Sequence, residues 1–139
     1  MRFKESDVYN LFAKDPTGFD LAISENNYSL VPASGGPIRL DEGEPTLKFI
    51  GLQNDSWFNL QPGESFVAVS ADSYAIPARM RARAVTHPNA MICGLAVTAS
   101  EPLMFDEEGH IKIVVQNISS ARVVISVGNP IARIVFNYH

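Results

Sequence analysis

Residues 109–136 read GHIKIVVQNISSARVVISVGNPIARIVF, and this stretch decides the fold. It holds three runs rich in β-branched residues, 111–115, 121–127 and 131–136, separated by the turn-forming residues 117–120 and 128–130. In the first run Ile111, Ile113 and Val115 fall on one face, and His110, Lys112 and Gln116 on the other. That period of two marks a half-buried strand. Asn, Ser and Gly supply turn geometry. Pro130 has no N–H, so it starts a strand or ends a turn. Runs this apolar are unstable as isolated hairpins and need a second sheet or a partner chain.

The same texture extends upstream. Residues 65–70 (SFVAVS) alternate as a strand after the turn Gln61-Pro62-Gly63-Glu64. Residues 80–85 (MRARAV) alternate too, with Arg81 and Arg83 on one face. Shorter apolar runs lie at 17–23, 30–32, 38–40, 46–52, 57–60, 74–77 and 91–96. Between them are loops at 24–29, 33–37 (ASGGP), 41–45 (DEGEP) and 86–90 (THPNA). The one helical pattern is 6–14: Ser6 is placed to cap it, Val8, Leu11 and Phe12 share a face, and Asp15-Pro16 stops it. So short a helix is marginal alone and must dock, on its own domain or on a neighbouring subunit. Many short strands and one N-terminal helix predict an all-β sandwich or barrel. The expectation is a single domain over 1–139, with 1–16 as a helical arm.

With 139 residues and 46% of them apolar, the chain can bury a real core. Lys and Arg number 11 against 15 Asp and Glu, a formal charge of −4. An acidic chain with no basic run is not built to bind nucleic acid. A single cysteine, Cys93, excludes an intrachain disulfide and a multi-cysteine metal site, and is expected to be a small buried hydrophobe. No apolar stretch reaches a membrane span. The start, MRFKESD, lacks the apolar core of a signal peptide, so an intracellular or virion setting is expected.

Motif chemistry is sparse. There is no Walker loop, GxGxxG, HExxH or GxSxG. His87, His110 and His139 are scattered, with no spacing that converges on zinc. Asp41, Glu42 and Glu44 read as a solvated acidic loop, without calcium-loop spacing. Asp106-Glu107-Glu108 reads as an acidic turn, with carboxylates for magnesium or a general base as the alternative. Two arginines on one strand face, Arg81 and Arg83, read as solvated or acid-paired, with an anion site as the alternative. Neither a cofactor nor a metal is expected, and the residues alone name no reaction.

Taken in order, several segments resemble the dUTPase and dCTP deaminase superfamily. Residues 60–77, LQPGESFVAVSADSYAIP, resemble the deaminase segment in which a PGE turn leads into a strand, a polar turn and a short strand ending in Pro. Gly94-Leu95-Ala96-Val97 resembles the GLxV strand after the catalytic arginine-serine loop. Residues 109–117, GHIKIVVQN, resemble the GxI strand ending in Asn, and 128–136, GNPIARIVF, the closing PGxxIxQxxF strand. Residues 17–21, TGFDL, resemble the first motif, and the opening helix resembles the deaminase amino terminus. The likeness spans most of the chain and is densest after residue 60. It implies a distorted β-barrel or jelly-roll that assembles as a homotrimer, often with strands or termini exchanged. A closed trimer would cover apolar faces and edges.

The chemistry that the resemblance implies does not transfer. The positions of the phosphate-binding Arg-Ser-Ser loop are His87, Pro88 and Asn89 here, with no arginine fork for phosphate. The position of the deaminase acid/base glutamate is Val114, which cannot move a proton. The place of the water-activating aspartate falls near Met104, and Asp106 would serve only with a register shift. Asp20 is the family-type acid still in place. Past the closing strand the sequence ends at His139, so the arm that covers nucleotide in these enzymes is expected to be missing. No catalytic residue is therefore assigned, and Asp20, Arg81, Arg83, His87, Asn89 and Asp106 remain as a degenerate nucleotide pocket. Phages are known to reuse this trimer as a capsid decoration (cement) protein at symmetry axes. The expectation is such a pseudoenzyme, with itself and the major capsid protein as partners, located on the virion if it is a phage protein and otherwise cytoplasmic. The alternatives are a dUTP hydrolase or dCTP deaminase, using Asp20 or Asp106 with Arg81 or Arg83, and a nucleotide-binding regulator without turnover, with His87 and Asn89 lining a pocket between subunits.

Overall fold

The computed structural model describes residues 1–31, 36–43, 45–51 and 56–138. Sequence expectations for Pro32, 33–35, Glu44, Leu52 and His139 lie outside the described residues. The described elements, in order, are β1 (Arg2–Phe3), α1 (Glu5–Lys14), β2 (Phe19–Ala22), β3 (Tyr28–Val31), a 3-10 turn (Leu40–Glu42), β4 (Thr46–Phe49), β5 (Trp57–Leu60), β6 (Ser65–Tyr74), β7 (Met80–Thr86), α2 (Pro88–Ile92), β8 (Leu95–Thr98), β9 (Met104–Phe105), β10 (His110–Asn117), β11 (Val123–Ser126) and β12 (Pro130–Tyr138). Among the described residues the chain is mostly β, with two short helices.

The period of two in the opening stretch builds the centre of the largest sheet. On β10 Ile111, Ile113, Val115 and Asn117 are buried, while His110, Lys112, Val114 and Gln116 point outward. Strand β10 pairs antiparallel with β6 and β8, giving the order β4-β3-β6-β10-β8, with β1 beside β6 and β9 beside β10. A second sheet, β2-β12-β7, and a two-stranded ribbon, β11-β5, cover its inner face. Phe58 of the ribbon meets Phe66 of β6 edge-on at 5.0 Å, and both are buried. Large apolar side chains from all three sheets, among them Ile111, Leu21, Ile125 and Ile134, complete one core.

Buried polar groups join the sheets. Asn117 is fully buried and donates from Nδ2 to Leu60 O (2.9 Å) and Ala121 O (2.8 Å). Its Oδ1 accepts from Ser119 N (3.0 Å) and Ser119 Oγ (2.7 Å). One side chain thus closes the turn after β10 and holds β5 against it. Where β10 bulges between His110 and Lys112, the freed Ile111 N–H donates to Ser70 Oγ at 2.9 Å, so the bulge leaves that donor satisfied.

Both helices modify the sequence expectations. Helix α1 starts at Glu5, not after a Ser6 cap. Asp7 reaches back so that its Oδ2 accepts the Lys4 N–H at 2.9 Å, and Ser6 lies inside the first turn. The helix docks on its own chain: Val8 is fully buried, and Phe12 meets Phe136 edge-on at 6.0 Å. Residues 86–90, expected as a loop, instead lead into the second helix, α2. Pro88 suits a first helical position because its fixed φ is already helical and its missing N–H has no partner to lose. The cap is His87, whose Nδ1 accepts the Asn89 N–H at 3.1 Å. The apolar run 91–96 is therefore divided by the end of α2 rather than continuous. Gly94 makes the division at φ +90°, where a Cβ would lie 2.4 Å from Ser119 Cβ. Cys93 follows α2 and is exposed, not the buried hydrophobe expected.

Candidate functional site

Three elements bring charged groups together on the outer face of the β2-β12-β7 sheet. The register places Arg133 of β12 opposite Asp20 of β2. Gly18 allows β2 to start this close: at φ +120°, any Cβ there would lie 2.0 Å from Ile134 O. Arg133 Nη1 lies 2.7 Å from Asp20 Oδ1, and Nη2 donates to Thr17 Oγ1 at 3.3 Å and lies 3.7 Å from Asp15 Oδ2. His87, entering α2 from β7, places Nε2 3.4 Å from the same Asp20 oxygen.

The cluster faces inward on itself. His87 uses Nδ1 as the acceptor of the α2 cap, which places the N–H of a neutral ring on Nε2, 3.4 Å from Asp20 Oδ1. The Arg133 fork, which would suit phosphate, is filled by Asp20, Thr17 and Asp15. The Asp15 carboxyl is held below its ordinary value, first by the Thr17 hydroxyl and backbone N–H and then by the Arg133 charge.

The other sequence candidates lie apart from this cluster within one chain. Arg81 and Arg83 are exposed on β7, opposite Asn137 and Val135. Along β7 Arg83 lies two positions from Val85, the neighbour of Arg133, a spacing of about 7 Å. Asn89 lines a cavity of about 220 Å³ with Cys93, Val124 and Asn129, away from Asp20. Asp106 is on the large sheet, in the turn between β9 and β10. Its Oδ1 accepts from Glu108 N and His110 N, both at 2.9 Å, and its Oδ2 lies 3.0 Å from His110 Nδ1. Burial alone would raise the Asp106 pKa, but these N–H donors and the His110 ring lower it on balance. Among the described residues no group of three or more His, Cys, Asp or Glu side chains is arranged to hold a metal ion.

Val114 lies on the outer face of β10, 40% exposed. It lines a cavity of about 420 Å³ with Leu47, Val67, Thr98, Met104 and Lys112. Lys112 and Tyr28 also line a neighbouring cavity of about 320 Å³, whose far wall carries Asp106, Glu108 and His110. The result is a groove across the sheet, apolar at one end and acidic at the other. The Lys112 ammonium sits 5.5 Å over the Tyr28 ring between the two halves.

Arg133 is the residue that sequence reading missed. It sits at an outward position of an alternating run, but its partner is 113 residues away. The available signal was a lone cation in the closing strand and a lone acid in TGFDL, meaningful only once β2 and β12 are known to pair.

No protein-family model and no curated protein matches the chain. Solved structures do. The crystal structure of 2'-deoxycytidine 5'-triphosphate deaminase from Agrobacterium tumefaciens superposes with a TM-score of 0.61, at 16% sequence identity, over 99% of this chain. The fold is dUTPase-like. The chain spans about half the length of that deaminase, 48% of it. At this identity the likeness establishes the dUTPase-like architecture and leaves the chemistry to the side chains. No helix among the described residues is long and apolar enough to cross a membrane.

Proposed function

We propose that this chain is a non-enzymatic structural subunit, a homotrimer that decorates a phage capsid at its symmetry axes and stabilises the head through the major capsid protein. The observation that carries the reading is the outer face of β10. Where the resemblance to the deaminases places the acid/base glutamate, the side chain is Val114, in an apolar groove wall. A valine moves no proton, and an exposed apolar wall is a surface for protein contact. The state of the remaining acids adds support: Asp20 is engaged by Arg133 and His87, and Asp106 by its own turn.

The test combines mass and turnover. Purified protein is measured by analytical ultracentrifugation, then incubated with dUTP, dCTP and Mg²⁺ while pyrophosphate and ammonia are followed. A trimer without turnover, found on purified virions by mass spectrometry, is the expected result. Release of either product overturns the reading in favour of a nucleotide enzyme. Heat of nucleotide binding without turnover overturns it in favour of a regulator.

A further inference from the structure

Among the described residues β7 is the edge of its sheet, paired on one side with β12. At its Thr86 end that edge is tied to the large sheet, because the Val97 N–H of β8 donates to Thr86 Oγ1 at 3.0 Å. At its Met80 end a cavity of about 420 Å³ opens between β7 and the connection from β8 to β9. Its apolar lining includes Met80, Ala82 and Leu103, all buried, and Phe105, 38% exposed. Arg81 and Glu101 line it too, and both are exposed. Neither side chain forms a hydrogen bond or ion pair among the described residues, with the other or with any third group. The cavity shares no lining residue with the β10 groove.

An apolar depression of this size with a few polar groups at its edge is the usual form of a small-molecule site. The two rim charges select the ligand. The Arg81 guanidinium is a planar fork matched to a carboxylate. A ligand with only negative charge would also meet the Glu101 carboxylate, and one with only positive charge would meet Arg81. A zwitterion gives each rim charge a partner, and an apolar substituent on it covers the Met80 and Leu103 floor. The geometry points to a binding site for a small zwitterion with an apolar substituent, the chemistry of a free apolar α-amino acid. Its carboxylate lies on Arg81, its ammonium on Glu101, and its side chain against Met80, Leu103 and Phe105. The site is independent of the proposed assembly.

The test is a chemical-shift titration of the full chain with L-leucine and L-phenylalanine. Saturable shifts at the amides of Arg81, Glu101, Leu103 and Phe105 are expected. Glycine, with no side chain for the floor, should bind at least about tenfold more weakly. N-acetyl-L-phenylalanine lacks the ammonium and L-phenylalaninamide lacks the carboxylate; each should lose about tenfold or more, the size of one hydrogen-bonded contact to a charge. Arg81→Gln should abolish the preference over the amide, and Glu101→Gln the preference over the acetylated form, both with unchanged thermal transitions. No saturable shift with either amino acid, shifts centred elsewhere, or an affinity for phenylalanine that both variants leave unchanged would overturn the site. Equal binding of phenylalanine and either blocked form would overturn the assignment of a zwitterion.

Discussion

Asn117→Asp swaps an amide for a carboxyl of nearly the same shape at a fully buried position. The wild-type Nδ2 group donates to Leu60 O and Ala121 O. A protonated aspartic acid has one O–H and can serve only one of those carbonyls. The other is left buried without a donor, which costs about 1–3 kcal/mol. Ionisation is worse, because a carboxylate would face two carbonyl oxygens in a dry site. The folded-state pKa of the new acid therefore rises above the unfolded value, and a raised acid binds its proton longer in the native state. Native protein then holds one more proton than unfolded protein over the interval between the two values. In that interval stability falls as pH rises, by about 1.4 kcal/mol per pH unit. A rise of about 2 units, modest for a fully buried acid, adds roughly 3 kcal/mol at pH 7 to the loss at pH 4. The total, roughly 4–6 kcal/mol, is comparable with the whole stability of many domains. The assay is urea unfolding at pH 4 and pH 7, at fixed protein concentration because any self-association would shift the midpoint. The variant is compared with wild type at each pH, and m should be unchanged. A difference from wild type below 1 kcal/mol at pH 7, or the same at both pH values, would refute the role given to Asn117.

Gly18→Ala should destabilise by several kcal/mol or prevent folding, since both its positive φ and the Ile134 carbonyl exclude a Cβ; a thermal midpoint within 2–3 °C of wild type, about 0.6–0.9 kcal/mol for a chain of this size, would count against that packing. Asp20→Asn should cost at most about 1 kcal/mol, because its pair with Arg133 is half exposed; chemical denaturation reads this directly, and a much larger loss would mean the cluster organises the core. Asp106→Asn should flatten the acid limb of stability. The folded pKa of Asp106 is lowered, so its contribution is present above the unfolded carboxylate value and lost as pH falls through the folded one; identical wild-type and variant profiles between pH 5 and pH 2 would contradict this.

The β architecture was legible because its signals are local. Alternation at 110–117 and 65–70 needs no partner to be read, and turn residues punctuate it. Helix α2 was missed because its five residues are too few to show a period, and the decisive feature is a histidine acting as cap. Cys93 was misjudged because burial was inferred from residue type, whereas its exposure follows from the helix end that Gly94 imposes. The site residues Asp20 and His87 are 67 positions apart in sequence and meet only through the pairing of β2, β12 and β7. Nothing in a linear pattern reports that register, and it is also what hid Arg133.

That register bears on function. A dUTPase-like scaffold needs its outer charges free if they are to meet phosphate, and a fork already filled at 2.7 Å by its own carboxylate is not free. Releasing Arg133 to a ligand would leave Asp20 and Asp15 beside the incoming anion, and like charges at that range oppose binding. The arginines without partners among the described residues on the same face, Arg81 and Arg83, lie farther along β7. On the proposed reading, contacts would be made by shape and apolar area at the β10 face rather than by charge. If the Arg133 cluster is purely structural, Arg133→Lys should leave any self-association unchanged while losing the second arm of the fork, which reaches Thr17 and Asp15 from Nη2. A selective loss of nucleotide affinity in that variant, with unchanged sedimentation, would show that the fork still serves a ligand.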